Sequence, residues 1–292
     1  MTQPGIQPYQ AAISEQFPAL HVDTIAYLGE AKDHVGCLVN GQLVFRFPKR
    51  EEAEQKLRME LALLPELAPT LPLPIPQYSH IARTPSRAFS RIFAGYPLLA
   101  GEPLTNYIPA IWDMPWWAPA VGAFVTALHR FPVARARQLG VPGSTPEEWR
   151  SRYQNLYSGV QEKVWPLVTR RQRAAIRRYF ADFLDNPRHF EWEPVLLHHD
   201  IYSGHILLEV ATQQVTGIID FSDCDIGDPA VDVRNAWEPY YGGTMDATWP
   251  ERRAFYYQLQ PLAEVVAAEV LRDVYPALVA QALEQIKRRW PA

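Results

Sequence analysis

The residues that could do chemistry lie in one stretch, "VLLHHDIYSGHILLEVATQQVTGIIDFSDCDIGDP", residues 195–229. Asp200 and Asp220 stand twenty positions apart, each after a short apolar run, and His205 sits between them at the entrance of a β-like hairpin. Two carboxylates and an imidazole fixed in this way suit phosphoryl transfer from a nucleotide. That reaction depends on positioning and charge stabilisation more than on covalent chemistry. One carboxylate orients the attacking hydroxyl, metal ions neutralise the phosphates, and a basic side chain holds them. Asp220, ending an apolar strand, can present its carboxylate to a metal in a crevice.

Other elements must position these groups. "TIAYLG", "HVGCLV" and "QLVFRF" between residues 24 and 47 read as strands, with Asn40-Gly41 supplying the tight turn of a hairpin. Residues 50–66 switch to helical spacing, with Leu57, Met59, Leu61 and Leu64 on an apolar side. "PELAPTLPLPIPQYS" (65–79), rich in proline, is expected to be an extended connector, neither helix nor central strand. "AFSRIFAGYPL" (88–98) reads as a further strand. Helices are expected over 112–131, 146–163, 169–185, 230–240, 250–272 and 276–290, and all nine tryptophans fall in this later part. The expected fold is α+β and two-lobed: a small β-rich N-terminal nucleotide-binding lobe with one helix (1–96), and a larger, mainly helical catalytic and substrate-binding lobe (97–292).

Hydrophobic residues make up 48% of the 292 and charged residues 21%, an ordinary globular composition. No apolar stretch is long enough for a membrane helix and no secretory signal is seen, so a cytoplasmic protein is expected. Cys37 and Cys224 are expected to be unpaired. Residues 191–246 hold eleven Asp and Glu against one Arg or Lys, Arg234. Such a segment repels nucleic acid and attracts cations, either metal ions or a polyamine substrate.

The details match the kinase signature, an H-x-D-x-x-x-x-N loop followed by an Asp-Phe-Gly turn. "HHDIYSGH" gives His198, Asp200 and, at the asparagine position, His205; "IIDFS" gives Asp220, Phe221 and Ser222 where glycine would be. With "LVFRFPKREEAEQKLRMELALLPEL", "LPLPIPQY" and "IIDFSDCDIGDPAVDV", the chain resembles the aminoglycoside phosphotransferase family over essentially its whole length. The nearest likeness is to the aminoglycoside 2''-phosphotransferases, then to macrolide phosphotransferases. Both of these groups carry histidine in place of the loop asparagine.

The resemblance implies a protein-kinase-like fold and a set of roles. Asp200 would be the catalytic base, or the group that orients the acceptor hydroxyl. His205 and Asp220 would hold the Mg²⁺ bound to ATP or GTP. Arg46 aligns with the phosphate-holding lysine, Glu60 with its ion-pair partner, and Lys49 can share the phosphate role. The stretch from Gly29 to Gly36 would cover the triphosphate, and "SRIFAGYPL", with Phe93, would run along the base. His198 is expected to prop the loop backbone, while His199 has no expected role. Asp228 is read as a helix N-cap. Asp223 and Asp225 are possible extra contacts to metal or substrate.

On the acceptor side, Glu238 is the first candidate for an ammonium group, with Asp246 and Glu251 behind it. Asp232 and Trp237 are carried as substrate contacts, although a tie to the catalytic loop suits Asp232 better and core packing suits Trp237 better. The implied activity is transfer of a γ-phosphate to a hydroxyl of an aminoglycoside, by a protein expected to be monomeric. A macrolide or metabolic acceptor stays open, the former because "NYIPAIWDMPWWAPAVGAF" is so apolar. An inactive nucleotide-binding relative and a zinc protein are the other classes. Zinc finds no Cys or His pair at site spacing beyond adjacent His198 and His199.

Overall fold

The structure is a computed structural model that describes residues 5–108, 110–113, 115–268 and 277–291. Positions 269–272 and 276, expected to be helical, lie outside the described residues.

Strands β1 (Ile25–Glu30), β2 (His34–Val39) and β3 (Leu43–Pro48) form the expected antiparallel meander. Asn40 and Gly41 join β2 to β3 with φ of 52° and 66°, the left-handed pair that a type I′ turn requires. Strands β4 (His80–Ala82) and β5 (Phe93–Pro97) complete a five-stranded sheet in the order β1-β2-β3-β5-β4. Helix α1 (Gln7–Gln16), which the sequence reading did not anticipate, packs Ala12 and Ile13 into a cluster with Phe45, Phe47 and Phe93. Helix α2 (Glu51–Leu67) carries Glu51, Glu52 and Glu54 in its first turn, where the helix dipole favours acids. Its Leu57 packs with Ile92 and Ala94.

Two expectations for this part are corrected. The proline-rich connector is helical at its start, because α2 runs through Pro65 to Leu67 and a 3-10 turn continues over Ala68–Thr70. Pro65 stands in the last turn of the helix with its ring exposed, so only the bond from its own position to the Leu61 carbonyl is forgone. The strand expected over 88–98 begins only at Phe93.

Beyond the sheet the chain is mainly helical: α3 (Ala118–His129), α4 (Val133–Gln138), α5 (Pro146–Lys163), α6 (Arg170–Leu184), α7 (Trp249–Val266) and α8 (Leu278–Arg289). Helices α5 and α6 begin where expected because each opens on a capping box, Thr145 with Glu148 and Thr169 with Gln172. Residues Ala110–Asp113 and Pro115–Trp117 form 3-10 turns, and α3 starts only at Ala118, with Pro119 in its first turn. The apolar stretch around them is largely core: Ile111, Trp117, Val121 and Phe124 are buried together.

The helix expected over 230–240 is replaced by two 3-10 turns, Pro229–Val231 and Glu238–Tyr240. The carbonyl of Asp232 accepts from the indole Nε1 of Trp237 at 3.0 Å, which diverts an acceptor that a helix would use. Two short antiparallel pairings hold the chemical segment. Strand β7 (Val195–Leu197) pairs with β10 (Asp225–Gly227), and β6 (Glu102–Pro103) pairs with the hairpin β8 (Ile206–Glu209) and β9 (Gln214–Ile218). Among the described residues no helix is long and apolar enough to cross a membrane.

Candidate active site

Alternation along β3 sends Phe45 and Phe47 to the α1 side of the sheet and Arg46 to the α2 side. There the Arg46 guanidinium reaches Glu60 on α2 at 2.9 and 3.0 Å, and Asp220 at 3.0 Å through its second amine. The Tyr78 hydroxyl donates to Glu60 at 2.9 Å. Burial pushes the enclosed Glu60 carboxyl up, against the pull of Arg46 and Tyr78. Arg46 also donates to His34 Nδ1 at 3.2 Å, so that nitrogen must accept and the proton of a neutral ring sits on Nε2.

The loop that follows β7 is suspended from Asp232. Its carboxylate, fully buried, accepts from the backbone amides of His198 at 2.7 Å and His199 at 2.8 Å, and pairs with His129 at 3.3 Å. The His198 ring donates from Nε2 to the carbonyl of Ile219 at 3.1 Å, linking the Asp200 loop to the residue before Asp220. His199 and Asp220 both hold positive φ, 68° and 66°, strained values for residues other than glycine.

His205 stands between the two carboxylates. Its Nδ1 lies 2.8 Å from the carbonyl of Asp200, and a carbonyl can only accept, so Nδ1 carries the proton. The lone pair on Nε2 then faces Asp220 Oδ2 at 3.6 Å, too far for a hydrogen bond. A histidine that donates to a backbone carbonyl while its other nitrogen points at a carboxylate is arranged as a metal ligand. No group of three or more His, Cys, Asp or Glu that could hold a metal occurs among the described residues. Two protein ligands suit Mg²⁺, which takes its remaining oxygens from water and phosphates.

Burial raises the Asp220 carboxyl, but Arg46, His205 and the Ser222 hydroxyl overcome it and hold the group well below the usual carboxylate range. Asp200 goes the other way: burial, reinforced by Asp223 and Asp220, pushes it up to about 6 against His205 and Arg234. Its side chain remains 48% exposed, facing open space where an acceptor could stand.

The other expected residues divide. Gly29 and Gly36 face each other in register across β1 and β2, and Gly29 takes φ 146°, which only glycine adopts readily. Lys49, between β3 and α2, reaches across to the Gly29–Gly36 loop, donating to the carbonyl of Ala31 at 3.3 Å and pairing with Glu30, away from the Arg46 cluster. Phe93, expected beside the base, is enclosed in the α1-side core and stacks on Phe47 at 4.6 Å. Arg46 lies opposite Ala94, so Phe93 is left on the other face. Trp237 packs edge-on against Trp117 in the core.

Tertiary pairing meets part of the local acidity. Lys56 pairs with Asp223, Arg152 with Asp225 at 2.7 Å, and Arg252 with Asp228 at 2.7 Å and Asp246 at 2.8 Å. Glu238 receives the indole of Trp249 at 2.9 Å and Arg253 at 3.2 Å. Glu238 and Asp246, expected to face a cationic acceptor, already meet Arg253 and Arg252 of α7. Asp228 does accept from the amide of Ala230, but it caps a single 3-10 turn.

Tyr78 and His34 were missed by the sequence reading, and Ser222 was placed in the turn without a role. Ser222 alone had a signal, its place at the third position of the Asp-Phe-Gly turn.

Two buried histidines carry a consequence for stability. His198 is pushed down to about 4 and His34 to about 3, in both cases chiefly by burial. The unfolded chain takes up these protons first, so the stabilising contribution is complete above about pH 6.5 and is lost as pH falls toward 4. Unfolding by urea at pH 7 and pH 5 should differ by about 2 kcal/mol for each histidine. A flat profile over that interval would show that neither folds as the neutral ring.

Comparison with known proteins gives a consistent picture. The family model described as the phosphotransferase enzyme family matches residues 36–268. The GDP complex of wild-type aminoglycoside 2'-phosphotransferase-IIIa is similar with a TM-score of 0.85 and 25% identity, covering 98% of both chains. The GDP and kanamycin complex of APH(2")-IIia gives 0.85 and 26%, again over 98% of both. Macrolide 2'-phosphotransferase MphH from Brachybacterium faecium shares the fold, with a TM-score of 0.68 and 19% identity over 94% of this chain and 96% of that one. Among curated proteins, uncharacterized protein YcbJ of Bacillus subtilis (strain 168) is 24% identical over 212 residues, 69% of this chain. That match spans 63% of the length of YcbJ.

Proposed function

We propose that this chain, which belongs to the phosphotransferase enzyme family, is a kinase that transfers the γ-phosphoryl group of ATP or GTP to a hydroxyl of a small molecule. The observation that carries this reading is a continuous line of contacts, Glu60 to Arg46 to Asp220, with Asp220 then facing His205 and His205 bonded to the Asp200 carbonyl. It joins a phosphate-holding cation to a carboxylate that faces open space.

In this reading Asp200 accepts a hydrogen bond from the acceptor hydroxyl, aligns its oxygen for in-line attack, and takes the proton as the new bond forms. Arg46, held by Glu60, keeps a fixed positive charge beside the phosphates. Mg²⁺ held by His205 and Asp220 would neutralise the β- and γ-phosphates. The loop from Gly29 to Gly36 covers the nucleotide, and Lys49 fixes that loop through Ala31 and Glu30.

For the acceptor, an aminoglycoside is the class suggested by the similar structure that holds kanamycin with GDP. A second reading is an acceptor without several ammonium groups, favoured by the arginines that already neutralise Glu238 and Asp246. The test is nucleoside-diphosphate release with Mg²⁺ and ATP or GTP across aminoglycosides, macrolides and simple polyols. Turnover with kanamycin supports the first reading; turnover confined to non-cationic acceptors supports the second. Failure to bind either nucleotide would sink the kinase reading itself.

A further inference from the structure

We propose that Arg234 binds the acceptor, pairing with an anionic group, carboxylate or phosphate, on the molecule whose hydroxyl faces Asp200. The inference rests on the kinase reading and names the substrate class of the same site.

A crevice of about 810 Å³ opens beside Asp200, and Tyr202, Ser203, Arg234, Trp237 and Tyr257 are among its lining residues. Among the described residues Asp200 is the sole carboxylate on that lining, and the proposed chemistry already commits it to the hydroxyl. A polycation entering there meets no row of counter-charges. Most cations around the site are spoken for: Arg46 by Glu60 and Asp220, Lys56 by Asp33 and Asp223, Arg252 by Asp228 and Asp246, Arg253 by Glu238. Arg234 differs. Among the described residues its guanidinium has no hydrogen-bond partner, and its Nε is buried without one. The neighbouring Asp232 carboxylate is taken up by the amides of His198 and His199 and by His129.

A largely desolvated guanidinium without a partner is an unfavourable arrangement that a bound anion relieves. Burial pulls the Arg234 pKa down, outweighing the nearby charges of Asp232 and Asp200 that raise it. The planar fork of five donors fits a carboxylate or phosphate bidentately, so the anion would be oriented as well as attracted. Tyr202 and Tyr257, 46% and 55% exposed, offer ring surface to the carbon skeleton between the anion and the hydroxyl. The acceptor so described is a hydroxylated acid or a sugar phosphate, in contrast to a polyamine.

The test is calorimetric titration of the whole protein, saturated with Mg²⁺ and whichever of the non-hydrolysable nucleotides AMP-PNP and GMP-PNP it binds. The probes are D-gluconate and glucose 6-phosphate as anions, D-glucitol as the uncharged analogue, and kanamycin as the polycation. One or both anions should bind at least about tenfold more tightly than glucitol, the scale of a charge-assisted bidentate pair. Arg234→Met should erase that margin, and Arg234→Lys should restore part of it. The inference is overturned if neither anion binds better than glucitol, if the margin survives in Arg234→Met, or if kanamycin alone binds. Should Arg234→Met fail to fold, the comparison of gluconate with glucitol on the wild-type protein still decides. Failure to bind AMP-PNP and GMP-PNP alike would strike at the kinase reading, whereas retained nucleotide binding without anion preference would strike at this inference alone.

Discussion

Replacing Asp200 by Asn is expected to lower turnover by about three orders of magnitude while the nucleotide still binds, because a general base contributes on the order of 10²- to 10⁴-fold. Asn keeps the size and one acceptor oxygen of the carboxylate, but it cannot take a proton and has no charge to align the hydroxyl. The loop itself should survive, since Asp232 holds its backbone and the His205 contact is to the Asp200 carbonyl, leaving the side chain out of both. A pH profile adds a second check. The Asp200 carboxyl sits at about 6 in the free protein, and only its ionised form can act as base. The acid limb of kcat/KM, which reports the free enzyme, should therefore fall as pH drops through about 6. An Asp200→Asn protein that retains a tenth or more of wild-type turnover would remove the base assignment.

Arg46→Met is expected to damage both stability and activity, by separable routes. Glu60 is fully enclosed, and without the guanidinium it keeps only the Tyr78 hydroxyl. Removing one partner of a buried pair costs about 3–5 kcal/mol, which a shift in the urea midpoint would register. Asp220 would lose its principal counter-charge at the same time. Combining Arg46→Met with Glu60→Leu should recover much of the stability, since well-packed apolar replacements of buried pairs are often neutral. It should recover no turnover, because the phosphates still lack their cation. If the single variant unfolds at the wild-type midpoint, the pair is not the structural unit described.

Local signals made much of the fold legible. The Asn40-Gly41 turn fixes the β2–β3 hairpin, and the capping boxes at Thr145 and Thr169 fix where α5 and α6 begin. Motif spacing brought Asp200, His205 and Asp220 together before any coordinates did so. What escaped was non-local. The face that Phe93 occupies depends on its strand pairing, which sets Ala94 opposite Arg46, and no residue near Phe93 encodes that register. The charge of residues 191–246 looked like a cation-binding surface because its counter-ions, among them Lys56, Arg152 and Arg252, lie elsewhere in the sequence. The 230–240 segment failed as a helix through a side chain, the Trp237 indole, competing for a backbone carbonyl.

The separation of those charge partners also bears on how the chain comes off the ribosome. Arg46 and Asp220 meet across 174 residues, and Asp228 waits for Arg252, 24 residues further on. A nascent chain that has emerged only as far as Asp246 carries the complete catalytic loop and turn but lacks the arginines that balance Asp228, Asp246 and Glu238. Uncompensated carboxylates resist burial. Asp228 and the turn it caps can therefore settle only once α7 has been synthesised, so prematurely terminated products would emerge with these carboxylates unbalanced.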